Sequence, residues 1–392
     1  MSAAFSTFAP PSRPSLGAVH TIPEILGQPA LWQATWEGLR WEAKDLKAFM
    51  TEALQASDRE VVLTGAGSSA FIGELLQGCY SRRLKRCVRA VPTTDIVTNP
   101  EECFAQDVPT LLISFGRSGN SPESIAALDR ADECLSDVRH LIITCNPGGD
   151  LAKHPTKHPR AVFVLPPAAD DKGLAMTGSF TSMALAGMLM ADLDCLEYQG
   201  SRVRLMAAAA ERLLSSEGGR FRELARLGVR RAIFLGAGAL KGAARECHLK
   251  VQELTNGSVM CSYDSFLGFR HGPKAAIDAE TLVVFLFSGR PGQKAYEQDL
   301  VKEIRDGNLG CFRLGVGAGL APHEGPEATI TLDEEGLLRD EERAICGVLV
   351  AQVLGVELSI AQGLSPDNPS PCGSISRVVQ GVTIYPRAHD PL

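Results

Sequence analysis

A patch of small and hydroxyl-bearing residues directly follows an apolar segment of the chain. The segment reads "LLISFGRSGNSPES" over residues 111–124, and the patch itself comprises Arg117, Ser118, Gly119, Asn120 and Ser121. The Pro-Glu pair that comes next indicates the first turn of a helix. Serine hydroxyls and the N–H groups of a helix N-terminus bind anions, and an arginine adds positive charge. The sequence therefore predicts a cradle for a phosphate group, although Ser121 also suits a simple helix cap.

A second glycine-rich turn carries two further serines. The stretch "GAGSSAFIGE" (65–74) links a β-rich segment to a helix, and Gly67, Ser68 and Ser69 lie where the first helical N–H groups would face a ligand. The spacing also matches the G-x-G-x-x-A pattern of dinucleotide-binding turns. Such a site needs an acidic ribose ligand about 20 residues further on, where "RRLKRCVRA" contains no Asp or Glu. Phosphate binding is the favoured interpretation, with dinucleotide binding as the alternative.

A row of charged residues in the second half could move protons. In "ARECHLKVQELTNG" (244–257), Glu246, Lys250 and Glu253 are spaced i, i+4 and i+7, which places them on one face of a helix. Alone, this spacing is typical of a solvated salt-bridge stripe. The helix is followed, however, by "YDSFLGFRHGPKAAID", an aromatic and glycine-containing loop that includes His271, and functional residues concentrate on such loops. Together the two segments indicate general acid–base chemistry.

Composition and charge limit the possible classes of function. The 392 residues are 45% hydrophobic and 22% charged, which is typical of a globular chain long enough for two domains. A net charge of −7 argues against a general binder of nucleic acid. There is no secretory signal pattern, and no apolar run reaches the roughly 18–20 residues of a membrane helix. Eleven scattered cysteines without a C-x-x-C pair indicate reduced thiols, so a cytoplasmic protein is expected.

One histidine pair has the spacing of metal ligands. His154 and His158 are four residues apart, which on a helix would place both on one face. Pro155 and Pro159 argue against a helix there, because proline lacks the backbone N–H that a helix uses. The segment "KHPTKHPR" is therefore predicted to be an exposed loop, and no metal or other cofactor is expected.

Short β-rich segments alternate with helical ones through the first half. The predicted strands are 60–67, 110–116, 140–146 and 161–166, and the predicted helices are 123–135, 177–193 and 202–227. Before them, Trp32, Trp36 and Leu39 have the spacing of one apolar helix face. Alternating strands and helices predict a parallel sheet that is covered on both faces.

The second half repeats the pattern of the first. The stretch "AIFLGAGALKG" (232–242) echoes the strand and glycine turn of "VVLTGAGSSAF" (61–71). Further predicted elements are strands at 281–287 and 310–317, a buried helix at 343–364 and a Pro/Ser-rich tail with a short strand-like run at 365–385. The chain is therefore predicted to be a tandem duplication of one α/β unit.

The segments "SFGRSGNSPES", "GAGSS", "KVQELT" and "FRHGPKAAID" together resemble the tandem SIS (sugar isomerase) family. This family includes the isomerase half of glucosamine-6-phosphate synthase. The spacing and the tryptophan helix are most similar to its galactosamine-6-phosphate deaminase/isomerase branch, formerly described as tagatose-6-phosphate ketose/aldose isomerases. The resemblance implies an α/β fold of two SIS domains, each a flavodoxin-like three-layer αβα unit. The implied divisions are an N-terminal arm (1–45), a first SIS domain (46–205), a second (206–365) and a tail that completes the active site (366–392).

The resemblance also implies roles for individual residues. Ser69, Ser118 and Ser121 would hold the sugar phosphate. Their neighbours in the same two turns, also implied to bind it, are Gly67, Ser68, Arg117, Gly119 and Asn120. Glu253 would move a proton between C1 and C2, with Lys250 beside it, and His271 would open the sugar ring. In this family the histidine reaches into the neighbouring subunit's site, so a homodimer or higher homo-oligomer is implied.

Two departures from the synthases bear on the reaction. The chain lacks their N-terminal cysteine glutaminase domain, which supplies ammonia. Arg377, in "SISRVVQGVTIY", stands near the position where the synthases carry a Schiff-base lysine. An arginine stays protonated and cannot form that imine. The substrate of a deaminase brings its own nitrogen, so both departures fit the deaminating direction.

The implied activity is deaminating isomerisation of an amino-sugar 6-phosphate, with D-galactosamine 6-phosphate as the favoured substrate and tagatose 6-phosphate and ammonia as products. Proton transfer of this kind requires no metal. A simple aldose–ketose isomerase and a non-catalytic sugar-phosphate-binding regulator stay open as alternatives. The presence of Glu253, Lys250 and His271 together argues against the regulator. The expected partner is a small sugar phosphate rather than nucleic acid or a membrane, and the sequence does not choose between the galactosamine and glucosamine epimers.

Overall fold

The computed structural model describes residues 17–317, 325–379 and 381–386. The β-strands in these ranges are β1 Glu60–Thr64, β2 Val88–Ala90, β3 Thr110–Gly116, β4 Val138–Thr144, β5 Arg160–Val164, β6 Arg231–Leu235, β7 Met260–Asp264, β8 Thr281–Leu286, β9 Phe312–Gly317 and β10 Ala328–Thr331. The α-helices there are α1 Thr21–Leu26, α2 Gln28–Ala53, α3 Ser68–Leu84, α4 Thr93–Thr98, α5 Pro100–Cys103, α6 Pro122–Cys134, α7 Asp150–Lys153, α8 Gly178–Met190, α9 Leu196–Ser216, α10 Gly218–Ala225, α11 Ala239–Leu254, α12 Phe266–Phe269, α13 Pro291–Asp306 and α14 Asp340–Ala361. Short 3₁₀ turns lie at Pro167–Ala169, Leu193–Cys195 and Pro273–Ala276.

The strands form two parallel sheets with the same order. The first sheet runs β2-β1-β3-β4-β5, and the second runs β7-β6-β8-β9-β10. Counted from the first strand of each sheet, both follow the order 2-1-3-4-5 of flavodoxin-like folds. The predicted tandem duplication of an α/β unit is confirmed.

The central strands are buried along their whole length. All positions of β3 and all positions of β8 are inaccessible to solvent, because helices cover both faces of each sheet. A parallel strand in this setting has an almost continuous apolar sequence rather than an alternating one. This is why "TLLISFG" and "TLVVFL" could be recognised as strands from their composition.

The repeated G-A-G triplet has a conformational cause. Gly67 and Gly238 precede α3 and α11 with φ of +56° and +57°, a left-handed conformation that side chains other than glycine rarely adopt. A Cβ atom on Gly65 would lie 2.6 Å from the backbone of Ser69. The turn therefore requires glycine at both ends to bring the helix directly over the strand.

The two halves share one hydrophobic core. Helix α3 of the first half packs against α11 of the second, and a Cβ atom on Gly242 would lie only 2.5 Å from the backbone nitrogen of Leu75. Helix α14 packs on the other side of α11, where a Cβ atom on Gly355 would lie 2.7 Å from Leu254. Glycine at both positions allows the helices to approach this closely, so α11 is held between α3 and α14.

Helix α14 lies at the centre of the protein. Among the described residues it is long and apolar enough to cross a membrane, and the bent pair α8–α9 passes the same test when taken together. In α14, however, 89% of the most apolar stretch is buried inside the protein. We therefore assign α14 as the core helix that the sequence predicted at 343–364.

Residues near the two ends of the described chain are joined by hydrogen bonds. The carboxylate of Asp367 accepts from the backbone nitrogens of His20 and Thr21, the latter at 2.7 Å, and from the Thr21 hydroxyl at 2.8 Å. In return, the backbone nitrogen of Asp367 donates to the carbonyl of Gly17 at 2.8 Å. This carboxylate caps α1 from a distance of more than three hundred residues in sequence.

Most predicted elements are present, and the differences have local causes. The helices predicted at 123–135 and 177–193 correspond to α6 and α8, while the one at 202–227 divides into α9 and α10 at Glu217. The prediction missed β2, β7 and β10, which are short edge or near-edge strands without a buried apolar run. The described part of the tail consists of turns, bends and irregular backbone and forms no strand, so the strand-like run predicted there is wrong.

The tryptophan helix is α2, and it packs on the first half as its spacing predicted. Trp32 and Leu39 are fully buried, and the Trp32 indole donates to the hydroxyl of Thr181 in α8 at 3.0 Å. The Trp36 indole donates to the carbonyl of Leu196 at 2.8 Å. The first 16 residues of the predicted arm lie outside the described residues.

Candidate active site

A small cavity opens beyond the carboxyl ends of β1 and β3. Its volume is about 160 Å³, and it lies between the N-termini of α3 and α6. The strand order of the first sheet reverses between β1 and β3, and ligands of open parallel sheets bind at such a point. The predicted residues that line it are Gly67, Ser69, Arg117, Ser118, Gly119, Ser121 and Arg377. Both predicted turns and the tail therefore meet in one place.

The loop after β3 is held in shape by its own hydrogen bonds. Gly119 has a φ of +63°, and a Cβ atom there would lie 3.3 Å from Leu151. The backbone nitrogen of Asn120 donates to the Ser118 hydroxyl at 3.2 Å, and the Asn120 side chain accepts from the nitrogen of Asp150 at 3.0 Å. Asn120 thus fixes the loop to α7, and its side chain does not line the cavity.

The structure corrects the capping role predicted for Ser121. This residue precedes the first turn of α6, but its hydroxyl donates to Glu123 Oε2 instead of accepting from a backbone N–H. Glu123 also lines the cavity. The sequence analysis did not single out Glu123 as a site residue, since an acidic residue in the first turn of a helix is ordinary.

Arg117 is placed differently from the prediction. Its guanidinium is 6% exposed and donates to the carbonyl of Leu174 at 3.2 Å and to the carbonyl of Arg377. Burial and the charge of Arg377 lower the pKa of Arg117. Because its N–H groups bind backbone carbonyls, Arg117 fixes the tail over the cavity, and its side chain forms part of the cavity lining.

Arg377 belongs to the part of the tail that covers the cavity, together with Val378 and Val379. Its guanidinium donates to the Asp171 carbonyl at 2.7 Å and to Asp170 Oδ1 at 2.5 Å. The side chain is therefore attached to the loop after β5. That loop was not recognised in the sequence, because nothing in it signals a contact with a tail some 200 residues away.

The charged row on α11 forms one connected cluster with Ser68. Lys250 Nζ lies 3.3 Å from Glu246 Oε1 and 2.6 Å from Glu253 Oε2. The Ser68 hydroxyl accepts from Lys250 at 3.1 Å and donates to Glu246 at 3.1 Å. Ser68 was predicted to bind phosphate, and the structure instead directs its hydroxyl to this cluster.

Burial separates this cluster from a solvated salt-bridge stripe. Glu246 and Lys250 are 0% and 1% exposed, whereas the Glu253 side chain is 24% exposed. Burial raises the pKa of Glu246 to about 7, and the Lys250 charge only partly opposes this. Burial by itself lowers the pKa of Lys250, but the two carboxylates outweigh it and raise that pKa overall. Glu246 is therefore harder to ionise than an ordinary carboxyl group, even though the Lys250 ammonium lies beside it.

Sequence reasoning placed Glu246 on the helix face but gave it no role. The i, i+4 spacing to Lys250 was the available signal. What the spacing could not show is that Ser68, from the other half of the chain, would complete the burial of both side chains.

His271 is not brought to this cluster within one chain. It is exposed, on the loop between α12 and the turn at Pro273–Ala276. In the described part of the chain, its ring forms no hydrogen bond or ion pair with Glu253. Helix α11 holds another histidine, His248, whose half-buried ring packs against Tyr263 with the ring centroids 4.8 Å apart.

The structure also places His154, one of the two histidines with metal-ligand spacing, beside a carboxylate just after a short helix. His154 Nε2 lies 2.7 Å from Asp129 Oδ1, and α7 ends one residue before His154. No group of three or more His, Cys, Asp or Glu side chains arranged to hold a metal occurs among the residues that the structure describes.

Two parallel sheets of the same order, with a serine-lined cavity at the switch point of the first, define a protein with tandem SIS domains. No protein-family model matches the chain. Individual proteins do match: it is 44% identical to an AgaS protein of Streptomyces coelicolor, over 94% of the chain and 96% of that protein. It is 38% identical to the D-galactosamine-6-phosphate deaminase AgaS of Escherichia coli, over 93% and 95%.

A solved structure agrees with these relatives. The crystal structure of tagatose-6-phosphate ketose/aldose isomerase from Escherichia coli superimposes with a TM-score of 0.87 at 34% identity, covering 97% of this chain and 99% of that one. The chain belongs to the AgaS family of SIS-domain proteins.

Proposed function

We propose that this protein is a D-galactosamine-6-phosphate deaminase that converts its substrate to tagatose 6-phosphate and ammonia. The observation that carries the proposal is the Glu246–Lys250–Glu253 cluster, joined through Ser68 to the turn that lines the serine cavity. A general base beside a phosphate-binding cavity is what a sugar-phosphate isomerisation requires. The name of the Escherichia coli relative supplies the substrate and the deaminating direction.

The cavity would bind the 6-phosphate group. Ser69, Ser118 and Ser121 offer hydroxyl donors, and the N-termini of α3 and α6 offer backbone N–H groups. Glu123 would have to release the Ser121 hydroxyl when the phosphate enters, because the Glu123 carboxylate and the phosphate would compete for the one proton that this hydroxyl donates. Binding the distal phosphate would fix C1 and C2 with respect to α11.

Glu253 would carry out the proton transfer. In the open-chain sugar it removes the proton from C2, which gives an enolamine with a C1–C2 double bond. Returning that proton to C1 gives a C1 alcohol and a C2 imine. Lys250, 2.6 Å away, keeps the carboxylate of Glu253 oriented and compensates its charge. This transfer between adjacent carbons is general acid–base catalysis by a single carboxylate.

Water then completes the reaction. Addition of water to the C2 imine and loss of ammonia gives the ketose, so the nitrogen leaves without being transferred to the protein. Arg377, near the synthase lysine position, would not form a covalent imine, since a guanidinium stays protonated. Its contacts with Asp170 and Asp171 give it instead the role of holding the tail closed.

Assays of ammonia and sugar products test the proposal directly. The purified protein is incubated with galactosamine 6-phosphate or glucosamine 6-phosphate, and ammonia and tagatose 6-phosphate are quantified together. We expect equal amounts of ammonia and tagatose 6-phosphate from galactosamine 6-phosphate. Conversion of tagatose 6-phosphate to its aldose without ammonia release from the amino sugar would establish the simple isomerase instead. Binding without turnover of any of these sugars would establish a regulator.

We further propose that the active site is shared between subunits of a homo-oligomer. His271 is exposed on a loop and forms no hydrogen bond or ion pair with Glu253 within the described residues, which suits a ring-opening role in the cavity of another copy. Mixing inactive Glu253→Gln and His271→Ala chains should then restore part of the activity in mixed oligomers. Verified subunit exchange without any recovered activity would contradict the shared site.

The remaining assignments complete the proposal. We place the domain boundaries at 45, 205 and 365, so that each sheet lies within one domain. A cytoplasmic location is supported by the cysteines, because no disulfide joins any two of them in the described part of the chain.

A further inference from the structure

A second cleft, of about 530 Å³, lies between the two halves and away from the proposed active site. Its charged lining consists of Arg82, Arg83, Arg290, Arg339, Asp340 and Glu341. Arg82 and Arg83 belong to the last turn of α3, whose first turn contributes to the serine cavity. A helix of 17 residues is about 25 Å long, so the two sites are well separated.

The arginines of this cleft retain donors for a ligand. Arg82 pairs with Glu341 through Nη2 at 3.0 Å, Arg290 pairs with Asp340 through Nε at 3.3 Å, and Arg83 pairs with Asp192 through Nη1. Each of these ion pairs is made through one nitrogen of a guanidinium that has five N–H donors. Arg339 and Arg290 are exposed at the mouth of the cleft. Several N–H groups can therefore converge on one anion.

A buried guanidinium lies directly behind the wall of the cleft. Arg343 is 1% exposed and pairs with the buried carboxylate of Asp333 through Nη2 at 2.9 Å, while its Nη1 atom has no hydrogen-bond partner within the described residues. Gly289 and Gly336 line the cleft in front of it: a Cβ atom on Gly289 would lie 3.0 Å from Arg343 Nε. No side chain stands between Gly289 and Arg343, so at this point the wall of the cleft is bare backbone backed by the buried Arg343–Asp333 ion pair.

The side chains that line this cleft carry more positive than negative charge, whereas the whole protein is negatively charged. The chain has a net charge of −7, yet four guanidinium groups and two carboxylates line this cleft. A local positive site in an acidic protein concentrates small anions while the overall charge repels large polyanions such as nucleic acid. Planar guanidinium groups match the oxygens of phosphate in bidentate pairs better than a point charge does.

We propose that the cleft binds a small phosphorylated metabolite that bridges the two halves of the chain. The cavity volume is in the range of sites for ligands of sugar-phosphate or nucleotide size. The ligand would contact α3 through Arg82 and Arg83 and the second half through Arg290 and Arg339. This site is distinct from the serine cavity, and the proposal does not depend on the reaction catalysed there.

Calorimetric titration with inorganic pyrophosphate tests the site. The titrated protein carries Ser118→Ala and Ser121→Ala, so that binding in the serine cavity is weakened. We expect saturable binding of one pyrophosphate per chain. Adding Arg290→Gln and Arg339→Gln should weaken it by at least about 10-fold, as expected when charge-assisted hydrogen bonds are lost. The matched control Arg230→Gln removes an exposed arginine elsewhere and should leave the affinity unchanged.

Other outcomes would overturn the proposal. It fails if the serine variant binds no pyrophosphate, or if Arg230→Gln weakens binding as much as the cleft substitutions do. Equal affinity for citrate would show a general anion site without preference for phosphate. Arg339→Glu serves as a second variant, because this exposed side chain can be reversed in charge without disturbing the core; unchanged affinity in that variant would also reject the site.

Discussion

The loop after β3 and the loop after β8 occupy the same position in their two sheets, but different groups fill them. In the first half the loop encloses a cavity lined by Ser118 and Ser121. In the second half the carboxylate of Asp340, from α14, occupies the corresponding loop, where it accepts from the Ser288 hydroxyl at 2.8 Å and from the Gly289 nitrogen at 2.9 Å. The loop of the first half is open to an external anion, whereas the loop of the second half already binds the Asp340 carboxylate.

The glycine turns of the two halves also differ, with polar residues in the first half and apolar residues in the second. Ser68 and Ser69 follow the first turn, whereas Ala239 and Leu240 follow the second, and Leu240 is buried. The second half has lost the hydroxyls of a binding site but supplies the charged cluster at the far end of α11. Under the proposed function, one copy would hold the substrate and the other would carry out the proton transfer, at a site where both meet.

The largest effect that this division predicts is on Glu253. Glu253→Gln keeps the shape of the side chain but removes the base, so kcat should fall by roughly 10²–10⁴-fold, the usual contribution of a general base. KM should change little, because the substrate is held by the other half. Steady-state kinetics with galactosamine 6-phosphate measure both. Glu211→Gln, an exposed change on α9, is the control and should leave kcat unaltered. A tenfold rise in KM for Glu253→Gln would contradict the division, because it would show that Glu253 also binds the substrate.

The next effect is on binding by the first loop. Removing two hydroxyls that donate to a charged phosphate with Ser118→Ala and Ser121→Ala should raise KM by about 10²-fold, with kcat largely retained. Ser288→Ala is the matched change in the second loop, where the partner is Asp340. It should lower thermal stability without altering KM. If Ser288→Ala raised KM as well, the second loop would also have to bind substrate.

The smallest effect concerns the pH dependence of stability in the second loop. Glu297 is 1% exposed and accepts from the Ser288 nitrogen at 3.0 Å, and burial raises its pKa to about 7. Between the unfolded pKa near 4.5 and about 7, the folded state keeps a proton that the unfolded state loses. The Glu297 contribution to stability therefore decreases as pH rises through this window.

Glu297→Gln removes this dependence. The free energy of unfolding of the variant relative to the wild type should increase from pH 4.5 to pH 7, by on the order of 1–3 kcal/mol. Urea denaturation at several pH values measures the difference. Glu280→Gln, at an exposed position, provides the baseline. A difference that does not vary with pH would mean that Glu297 is ionised in the folded protein throughout.

The sequence predicted well what depends on local pattern. The continuous apolar runs of β3 and β8, the repeated G-A-G turn and the helical spacing of Trp32 and Leu39 each result from short-range constraints, and all correspond to observed elements. The edge strand β7 was missed because its face is exposed and its composition resembles a loop. A strand that is buried on both faces has a continuous apolar sequence, and this is why it can be recognised from a single sequence.

Contacts between distant segments could not be predicted in the same way. That Arg117 turns to the carbonyls of Leu174 and Arg377, and that Asp340 enters the loop after β8, depends on how elements far apart in sequence are packed. The acidic first turn of α14 reads as ordinary helix chemistry until its position against Ser288 is known. Nor could the sequence show that the Ser68 hydroxyl, predicted to bind phosphate, forms hydrogen bonds with Glu246 and Lys250 of the other half.

The bond between Thr21 and Asp367 has a consequence for how the chain is made. The two residues are 346 positions apart, so Thr21 leaves the ribosome long before the carboxylate that caps its helix has been synthesised. The strands of the first half can pair during that interval, since β1 to β5 need no later residue. The start of α1, and with it the tail that lies over the cavity, can close only when synthesis has passed residue 367 and Arg377 has followed. The serine-lined cavity is therefore among the last parts of the protein to be completed, and a nascent chain stopped short of this point would carry the loop after β3 without its cover.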